Sequence, residues 1–472
     1  MKKIIKFLLL INLISGTFIP ITTVHAESKS QYYTIMLKNY ENNQKLASKF
    51  QKYDMQVVYS VPEIGVIQVK ATEKAMNIVH SDPNIDSYNK SLQSFNSREV
   101  ATNVSSPLPL NEIWENQWDM QQVTHNGDSY RLYPGTKNVT VGIIDSGIDI
   151  NHPDLKDNIS PGSKNLVPKG GFREQESQET GELNRLIDLR GHGTFTAGQV
   201  AANGFMKGVA PGIGIKMYRV FGNGAGEAIW VIKAIVEAAK DNVDVINLSL
   251  GEYLINGIVS SSDGESSEEL SEIKAYRKAI KYAKSKGSII VAAAGNDALD
   301  VTNKQEMNDF FRKKNKNTGI TFTGEVLDVP AELPNIVTVS SVGPSKLLSL
   351  FSNYGESFID IAAPGGDNRL FQQYGLEQWV KNKLMLKELI LTTAPGGGYA
   401  LSIGVSLAAP KVSGALALII DKNNFKKIPV KAVRYLYKIG VSNDTPTNKS
   451  FFGNGLLVVY KEISHYIIFT SI

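Results

Sequence analysis

The sequence has 472 residues, of which 50 are basic and 46 acidic, so the formal net charge is +4. The charge is spread along the chain, which argues against a nucleic-acid-binding protein. Hydrophobic residues make up 42% and cysteine is absent, so the chain can bury large cores but has no disulfide, thiolate nucleophile or cysteine-based metal site.

The first residues are typical of a secretory signal peptide. Three lysines within the first six residues precede an apolar run at 7–14, and small residues suited to a signal peptidase occur around Ala26. An uncleaved membrane anchor is disfavoured because Gly16 and Pro20 interrupt the segment before about 20 apolar residues accumulate. We therefore predict a signal peptide at residues 1–26 and a secreted protein without a stable membrane anchor.

A small α+β unit is predicted next. Strand-like runs at 32–37, 55–59 and 66–69 alternate with helical stretches near 41–53 and 72–80. Residues 91–109 then lose this periodicity and are rich in Ser, Asn and Pro. This composition predicts an exposed, cleavable linker and a domain boundary.

The rest of the chain predicts a parallel, doubly wound α/β sheet. Strand-like runs at 139–144, 215–220, 243–248, 288–293 and 336–342 alternate with helical patterns such as 228–240 and 272–286. Three polar stretches, at about 156–188, 258–271 and 297–327, interrupt the alternation. We interpret them as surface insertions.

Three glycine-flanked polar residues are candidates for catalysis. Asp145 ends a buried-strand pattern, at the edge where open α/β sheets build their sites. His192 lies between two glycines at a predicted helix start, and Ser406 follows Gly404-Val405 at the start of another helix. Each residue has an ordinary structural alternative, respectively a turn cap, a packed histidine and an N-cap.

Taken together, the three residues follow the order Asp, His, Ser and resemble the subtilisin-like (peptidase S8) serine proteases. The resemblance runs from about residue 114 to 460. It is carried by Ile144-Asp-Ser-Gly-Ile148, His152-Pro-Asp-Leu155, Gly208-Val-Ala-Pro211, Val245-Ile-Asn-Leu-Ser-Leu-Gly251, Ala292-Ala-Ala-Gly-Asn296 and Phe351-Ser-Asn-Tyr-Gly355.

The resemblance implies a role for each residue. Ser406 would be the nucleophile, His192 the general base, Asp145 the residue that orients the histidine, and Asn296 the oxyanion donor. One departure is Val405, where the family usually has threonine, and its lost hydroxyl should weaken catalysis by about 1 kcal/mol. Leu407 replaces a methionine found in many relatives and cannot form a sulfoxide. Catalysis would need no cofactor.

The resemblance also implies a precursor. Residues 28–98 would comprise an inhibitory propeptide and its linker, and residues 110–465 a peptidase domain that acts as a monomer on a peptide or protein substrate. Arg98 lies in the linker, and we expect self-cleavage there or nearby because the linker meets its own cleft at a high effective concentration.

We expect two backbone segments and one acidic side chain to recognise the substrate. Substrate backbone should pair beside Ser249, Leu250 and Gly251, with Ala293, Ala294 and Gly295 as the opposite wall of the first specificity pocket. Asp328 would be the floor of that pocket and would pair with arginine or lysine. The alternative for Asp328 is a solvated acid in a loop at the end of an insertion.

Among its relatives, the chain is most similar to the leader peptidases that mature lanthionine antibiotics by cutting after arginine. A broad-specificity secreted protease and an inactive protease-fold binding protein are the two alternatives. Asp154 matches a calcium ligand of the family, with Gln117 or a neighbour as a partner, which predicts a structural calcium site.

Overall fold

The structure is a computed structural model that describes residues 30–39, 43–94, 109–260, 266–267, 270–317, 321–442 and 448–464. The predicted signal peptide at 1–26 and the predicted cleavage site at Arg98 lie outside these residues. Among the helices of the described ranges, none combines the length and apolar character needed to cross a bilayer.

The amino-terminal unit is a four-stranded antiparallel sheet with two helices, as the periodicity predicts. Its strands are β1 Gln31–Leu37, β2 Gln56–Val61, β3 Val66–Ala71, β4 Ile85–Lys90 and the short β5 Gln93–Ser94, and its helices are α1 Asn43–Lys52 and α2 Glu73–Val79. The sheet order is β2-β3-β1-β4. Apolar side chains of the sheet and both helices, among them Ile35, Phe50, Val69 and Met76, form a separate core. The sequence analysis did not identify β4.

The second unit is built around a parallel sheet of seven strands. The strands of the whole unit, including those outside the large sheet, are β6 Thr140–Asp145, β7 Lys164–Asn165, β8 Gly214–Arg219, β9 Gly226–Glu227, β10 Val245–Leu248, β11 Glu252–Ser260, β12 Ser266–Ser267, β13 Ile289–Ala293, β14 Thr321–Val329, β15 Ile336–Val342, β16 Ile361–Pro364, β17 Ile390–Ala394 and β18 Gly398–Ser402. The order in the large sheet is β16-β15-β13-β10-β6-β8-β7, and every pairing is parallel. The predicted doubly wound α/β class is confirmed.

Helices cover this sheet, which explains why a central strand such as β13 is a continuous apolar run. They are α3 Trp118–Thr124, α4 Asp128–Leu132, α5 His192–Ala201, α6 Ala228–Lys240, α7 Ser271–Ser285, α8 Lys304–Lys314, α9 Arg369–Lys381, α10 Met385–Glu388, α11 Val405–Asn423, α12 Pro429–Ile439, α13 Lys449–Phe452 and α14 Val459–Ser464. Helix α11 packs on the centre of the sheet and is buried from Val405 to Ile420. This fixes the position of its first turn.

Two of the predicted polar insertions form regular structure. Strand β11 pairs antiparallel with β14 from Glu252 opposite Val329 to Ser260 opposite Thr321. Helix α8 packs beside β14. The alternative view of Asp328 as a solvated loop acid is therefore wrong, because Asp328 lies within β14 and is 2% exposed. A further insertion, which contains α9 and α10, was not identified from the sequence.

The amino-terminal unit packs on the helices of the second unit. Val61, Ile64 and Val66 join the core that extends through α6 and α7, and the Tyr59 hydroxyl donates to the carbonyl of Leu166 at 2.8 Å. At its carboxyl end, β5 pairs antiparallel with β9. The last described residues before the linker thus run along the edge of the second unit.

Candidate active site

The aspartate and histidine predicted to act together are in direct contact. Asp145 ends β6 and His192 begins α5, and they are 1% and 6% exposed. His192 Nδ1 lies 2.7 Å from Asp145 Oδ1 and 2.8 Å from Oδ2. The Thr196 hydroxyl, one turn along the helix, donates to Asp145 Oδ2 at 3.1 Å. This arrangement fixes the imidazole orientation and leaves Nε2 on the opposite side of the ring for proton transfer.

A second aspartate, which the sequence analysis did not identify, holds the loop before His192. Asp188 is buried and accepts hydrogen bonds from the backbone N–H groups of Gly191 and Thr194, both at 2.8 Å. The Ser146 hydroxyl also donates to it at 2.8 Å. Because these donors include the first turn of α5, Asp188 caps the helix that carries the histidine. It also ties that helix to the residue after Asp145.

Ser406 occupies the first turn of α11, where the sequence analysis placed it. Its carbonyl would normally accept from the residue four positions later, but that residue is Pro410 and has no N–H. The Ser249 hydroxyl donates to this carbonyl instead, at 2.7 Å. Within the described chain, Ser406 Oγ is buried and makes no hydrogen bond. A hydrogen bond between a catalytic serine and its histidine is often long or poorly aligned before substrate binds.

Asn296 lies beside the nucleophile in an orientation suited to an oxyanion donor. It follows β13 and Gly295, whose φ of +99° is readily adopted only by glycine. The Asn296 side-chain oxygen accepts from the backbone N–H of Val405 at 2.9 Å. The amide nitrogen is then the end of the side chain available to donate to a substrate oxygen. Its catalytic role stays a prediction.

The two predicted walls of the specificity pocket lie on either side of Asp328. A Cβ atom placed on Gly251 would be 3.3 Å from Asp328 Oδ1, and one placed on Gly295 would be 3.1 Å from Oδ2. The structure thus brings Ser249–Gly251 and Ala293–Gly295 together around one carboxyl. Leu250, Ala293 and Ala294 direct their side chains into the core, so these segments offer a substrate mainly their backbone.

Burial raises the pKa of Asp328 well above its usual range, and the side-chain hydrogen bond from Asn353 acts in the opposite direction. Asn353 Nδ2 donates to Asp328 Oδ2 at 3.2 Å and to the Tyr253 hydroxyl at 2.9 Å. Its oxygen accepts from the backbone N–H groups of Asp297 and Leu299. Asn353 therefore links the pocket carboxyl to the loop that carries the oxyanion candidate. The sequence analysis quoted its motif but assigned it no role.

A further strand of the second unit, β9, was not predicted from the sequence. The chain leaves β8 beside Asp145, whose carbonyl accepts from Val220 N–H at 2.8 Å, and then forms β9. Pairing of β5 with β9 places Ser94 opposite Gly226. Ser94 is four residues before Arg98, which lies outside the described residues. No sequence signal marks a strand of two residues, because only its partner defines it.

The predicted calcium ligand makes hydrogen bonds instead. Asp154 accepts from the backbone N–H groups of Phe205 and Met206 at 3.1 and 2.9 Å, and from the Tyr399 hydroxyl at 2.8 Å. Gln117 accepts from Lys207 N–H rather than facing this carboxylate. Donor groups directed at the oxygens do not fit a bound cation. Among the described residues, no three His, Asp or Glu side chains converge to hold a metal ion.

Comparison with known proteins agrees with this geometry. Residues 136–455 match the family model described as the subtilase family, peptidase S8. The epidermin leader peptide-processing serine protease of Staphylococcus epidermidis is 37% identical over 464 residues, which are 97% of this chain and 98% of that protein. The nisin leader peptide-processing serine protease of Lactococcus lactis is 43% identical over 325 residues, which are 69% of this chain and 46% of that protein.

A solved structure is similar over nearly the whole length. The crystal structure of the epidermin leader peptide processing serine protease from Staphylococcus aureus has a TM-score of 0.82 and 42% identity, and the match covers 93% of this chain and 99% of that one. The similarity therefore includes the amino-terminal unit as well as the α/β unit.

Proposed function

We propose that the chain, which belongs to the subtilase family of serine proteases, is a processing endopeptidase that hydrolyses the peptide bond after an arginine. Ser406 attacks the carbonyl carbon while His192 takes the hydroxyl proton and then donates it to the leaving amine. Asp145 stabilises the imidazolium that forms between these steps. Asn296 and the backbone N–H of Ser406 donate to the oxygen of the tetrahedral intermediate.

The proposed specificity for arginine rests on the position of Asp328. Its carboxyl is buried beside Gly251 and Gly295, between the two backbone segments that we expect to line the pocket. A long cationic side chain in that pocket would stabilise the ionised form of this carboxyl, which burial otherwise disfavours, whereas an apolar side chain would not. Arginine suits the site better than lysine because its planar fork can bind both carboxylate oxygens.

A leader peptide is the substrate class that fits best. Two relatives that are 37% and 43% identical bear the names of leader peptide-processing proteases. The inserted β11–β14 sheet lies directly after the substrate segment Ser249–Gly251 and narrows access to the pocket. A narrowed cleft favours an extended peptide over a folded protein.

We also infer that the protein is secreted as a precursor and that the amino-terminal unit inhibits it. In support, the end of the amino-terminal unit is bound to the second unit, because Asn89 donates to Glu272 and β5 pairs with β9. Cleavage after Arg98 would then separate the two units, and the same pocket would recognise the precursor and the substrate.

The test compares the secreted chain with its Ser406→Ala variant by intact mass and amino-terminal sequencing. We expect the wild type to begin directly after Arg98 and the variant to retain residues 28–98. An Arg98→Gln variant with an intact triad is the matched control and should mature slowly or at another site. Identical trimming of wild type and Ser406→Ala would show that another protease cuts the linker and would contradict self-maturation.

Substrate profiling with a peptide library separates the proposal from its alternatives. Cuts confined to arginine support a processing enzyme, while scattered cuts after apolar residues would establish a broad-specificity protease. A serine-directed phosphonate that fails to label the mature protein would establish an inactive binding protein instead.

A further inference from the structure

Three glutamates of the second unit, the protease unit, lie close together beneath the amino-terminal unit. They are Glu227 on β9, Glu252 on β11 and Glu272 on α7, and we call them the acidic cluster. Glu227 is 2% exposed and Glu272 is 0% exposed. Glu272 acts electrostatically on both of the others. A group of like charges in a buried interface is costly unless cations or protons neutralise it.

The amino-terminal unit meets Glu272 with neutral donors. Asn89 Nδ2 donates to one carboxyl oxygen at 2.7 Å, and the backbone N–H of Leu92 donates to the other at 3.3 Å. The Asn89 oxygen in turn accepts from Ser271 N–H, at the start of α7, at 2.7 Å. These contacts connect the end of the amino-terminal sheet to the protease unit without adding a compensating charge.

The other two glutamates are incompletely paired. Arg173 donates to Glu227 Oε1 at 3.1 Å, and the Tyr276 hydroxyl donates to Glu252 Oε1 at 3.1 Å. The second oxygen of each carboxyl is buried and has no hydrogen-bond partner among the described residues. Arg173 thus offsets part of the charge of Glu227, and the Gln68 side chain of the amino-terminal unit also opposes the rise that burial causes in the pKa of Glu227. Protonation of the remaining carboxyls would remove the unpaired charge.

We propose that the acidic cluster is a docking surface that holds the amino-terminal unit while its carboxyls are protonated and releases the unit when they ionise. The proposal rests on the inhibitory role proposed above for that unit, and it adds a condition for its release. The ligand of this surface is the chain's own segment at 85–94, whose Asn89 amide and Leu92 N–H donate to Glu272 and whose Gln93 pairs with Glu227 along β9.

The protonation states of the cluster support this proposal. Burial raises the pKa of Glu227 to about 7, against the lowering effect of Arg173, and raises the pKa of Glu252 to about 8. Burial also raises the pKa of Glu272, against the hydrogen bonds from Thr34 and Asn89. Charged groups near the rim include the ion pairs Lys70–Glu174 and Lys274–Asp86.

The sign of the effect follows from linkage. Once the unit departs, water reaches the carboxyls and each pKa falls towards its ordinary value of about 4.3. The docked state therefore binds more protons than the open state, so docking is strongest at acidic pH and weakens as the pH rises through about 7 and 8. A shift of this size in Glu227 alone predicts at least about tenfold weaker docking at pH 8 than at pH 5.

Hydrogen–deuterium exchange of the full-length Ser406→Ala chain tests the proposal without requiring catalysis or arginine specificity. The probe is the interface, including the Ala228 amide, which donates to the Leu92 carbonyl. After correction for the pH dependence of intrinsic amide exchange, we expect the protection factors of the interface amides to fall at least about tenfold between pH 5 and 8. Protection that is unchanged with pH would overturn the proposal even if the chain is an arginine-specific protease.

Two variants make the test specific. The double substitution Glu227→Gln and Glu252→Gln leaves Glu272 as the titrating member of the acidic cluster, so the fall in protection between pH 5 and 8 should become clearly smaller. Glu63→Gln is the matched control, because Glu63 is also an interface acid but pairs with Lys240 at 2.7 Å. It should weaken docking by a similar factor at both pH values. A double variant that keeps the full pH dependence would assign the effect to other groups.

Discussion

Replacement of Asp328 by asparagine tests the specificity pocket most directly. The substitution keeps the shape of the side chain and removes its charge, so an arginine before the cut loses its anionic partner. Loss of one partner from a buried charge pair costs about 2–5 kcal/mol, which corresponds to between about thirtyfold and a few thousandfold in kcat/KM. We expect the lower part of this range, because the raised pKa of Asp328 shows that its charged form is already disfavoured by burial.

The assay compares peptides that differ only in the residue before the cut, with arginine, its neutral isostere citrulline, or leucine. Asp328→Asn should lower kcat/KM for the arginine peptide and leave the citrulline and leucine peptides nearly unchanged. Glu325→Gln is the matched control, because Glu325 is exposed on the same strand β14, and it should change the preference little. An equal loss for all three peptides in Asp328→Asn would refute the pocket and indicate a structural role.

The pH dependence gives an independent check of the same residue. Because the pKa of Asp328 is raised, its charge is present above that pKa and is lost as the pH falls through it. The preference of wild type for arginine over citrulline should therefore decline towards acidic pH. The Asp328→Asn variant should show no such decline, because its amide does not titrate.

Two further substitutions test the oxyanion site. Asn296→Ala should lower kcat by about a hundredfold to a thousandfold with little change in KM, since the lost donor acts mainly on the tetrahedral intermediate; a purely higher KM would contradict this role. Val405→Thr should raise kcat about fivefold if the restored hydroxyl supplies about 1 kcal/mol to the same oxygen, and unchanged steady-state rates would show that threonine has no role here.

The strands of the main sheet and the residues of the triad could be predicted because the signals for them are local. Both faces of the sheet are covered, so β10 and β13 appear in the sequence as short, uninterrupted apolar runs. Gly191 before His192 and Gly295 before Asn296 mark places where the backbone turns sharply. Such features require no knowledge of which distant residues will be neighbours.

The β11–β14 sheet could not be predicted in the same way. Its strands pair Glu252 with Val329, and nothing in the polar residues between them sets that register. Strand residues with an exposed face resemble loop residues unless the partner strand is known. This explains why the position of Asp328 at the pocket was anticipated while its place in a strand was not.

Polar residues that hold several segments together are the hardest to predict, and Asp154 shows why. Its position after His152-Pro153 is compatible with a calcium ligand or with a hydrogen-bond acceptor, and the local sequence is the same in either case. The choice depends on donors about fifty residues later, at Phe205 and Met206, and on Tyr399. Because the chain supplies three donors at this carboxylate, the site is already neutralised by dipoles and a cation would have to displace them. The role of such a residue is therefore decided by the fold and not by its own motif.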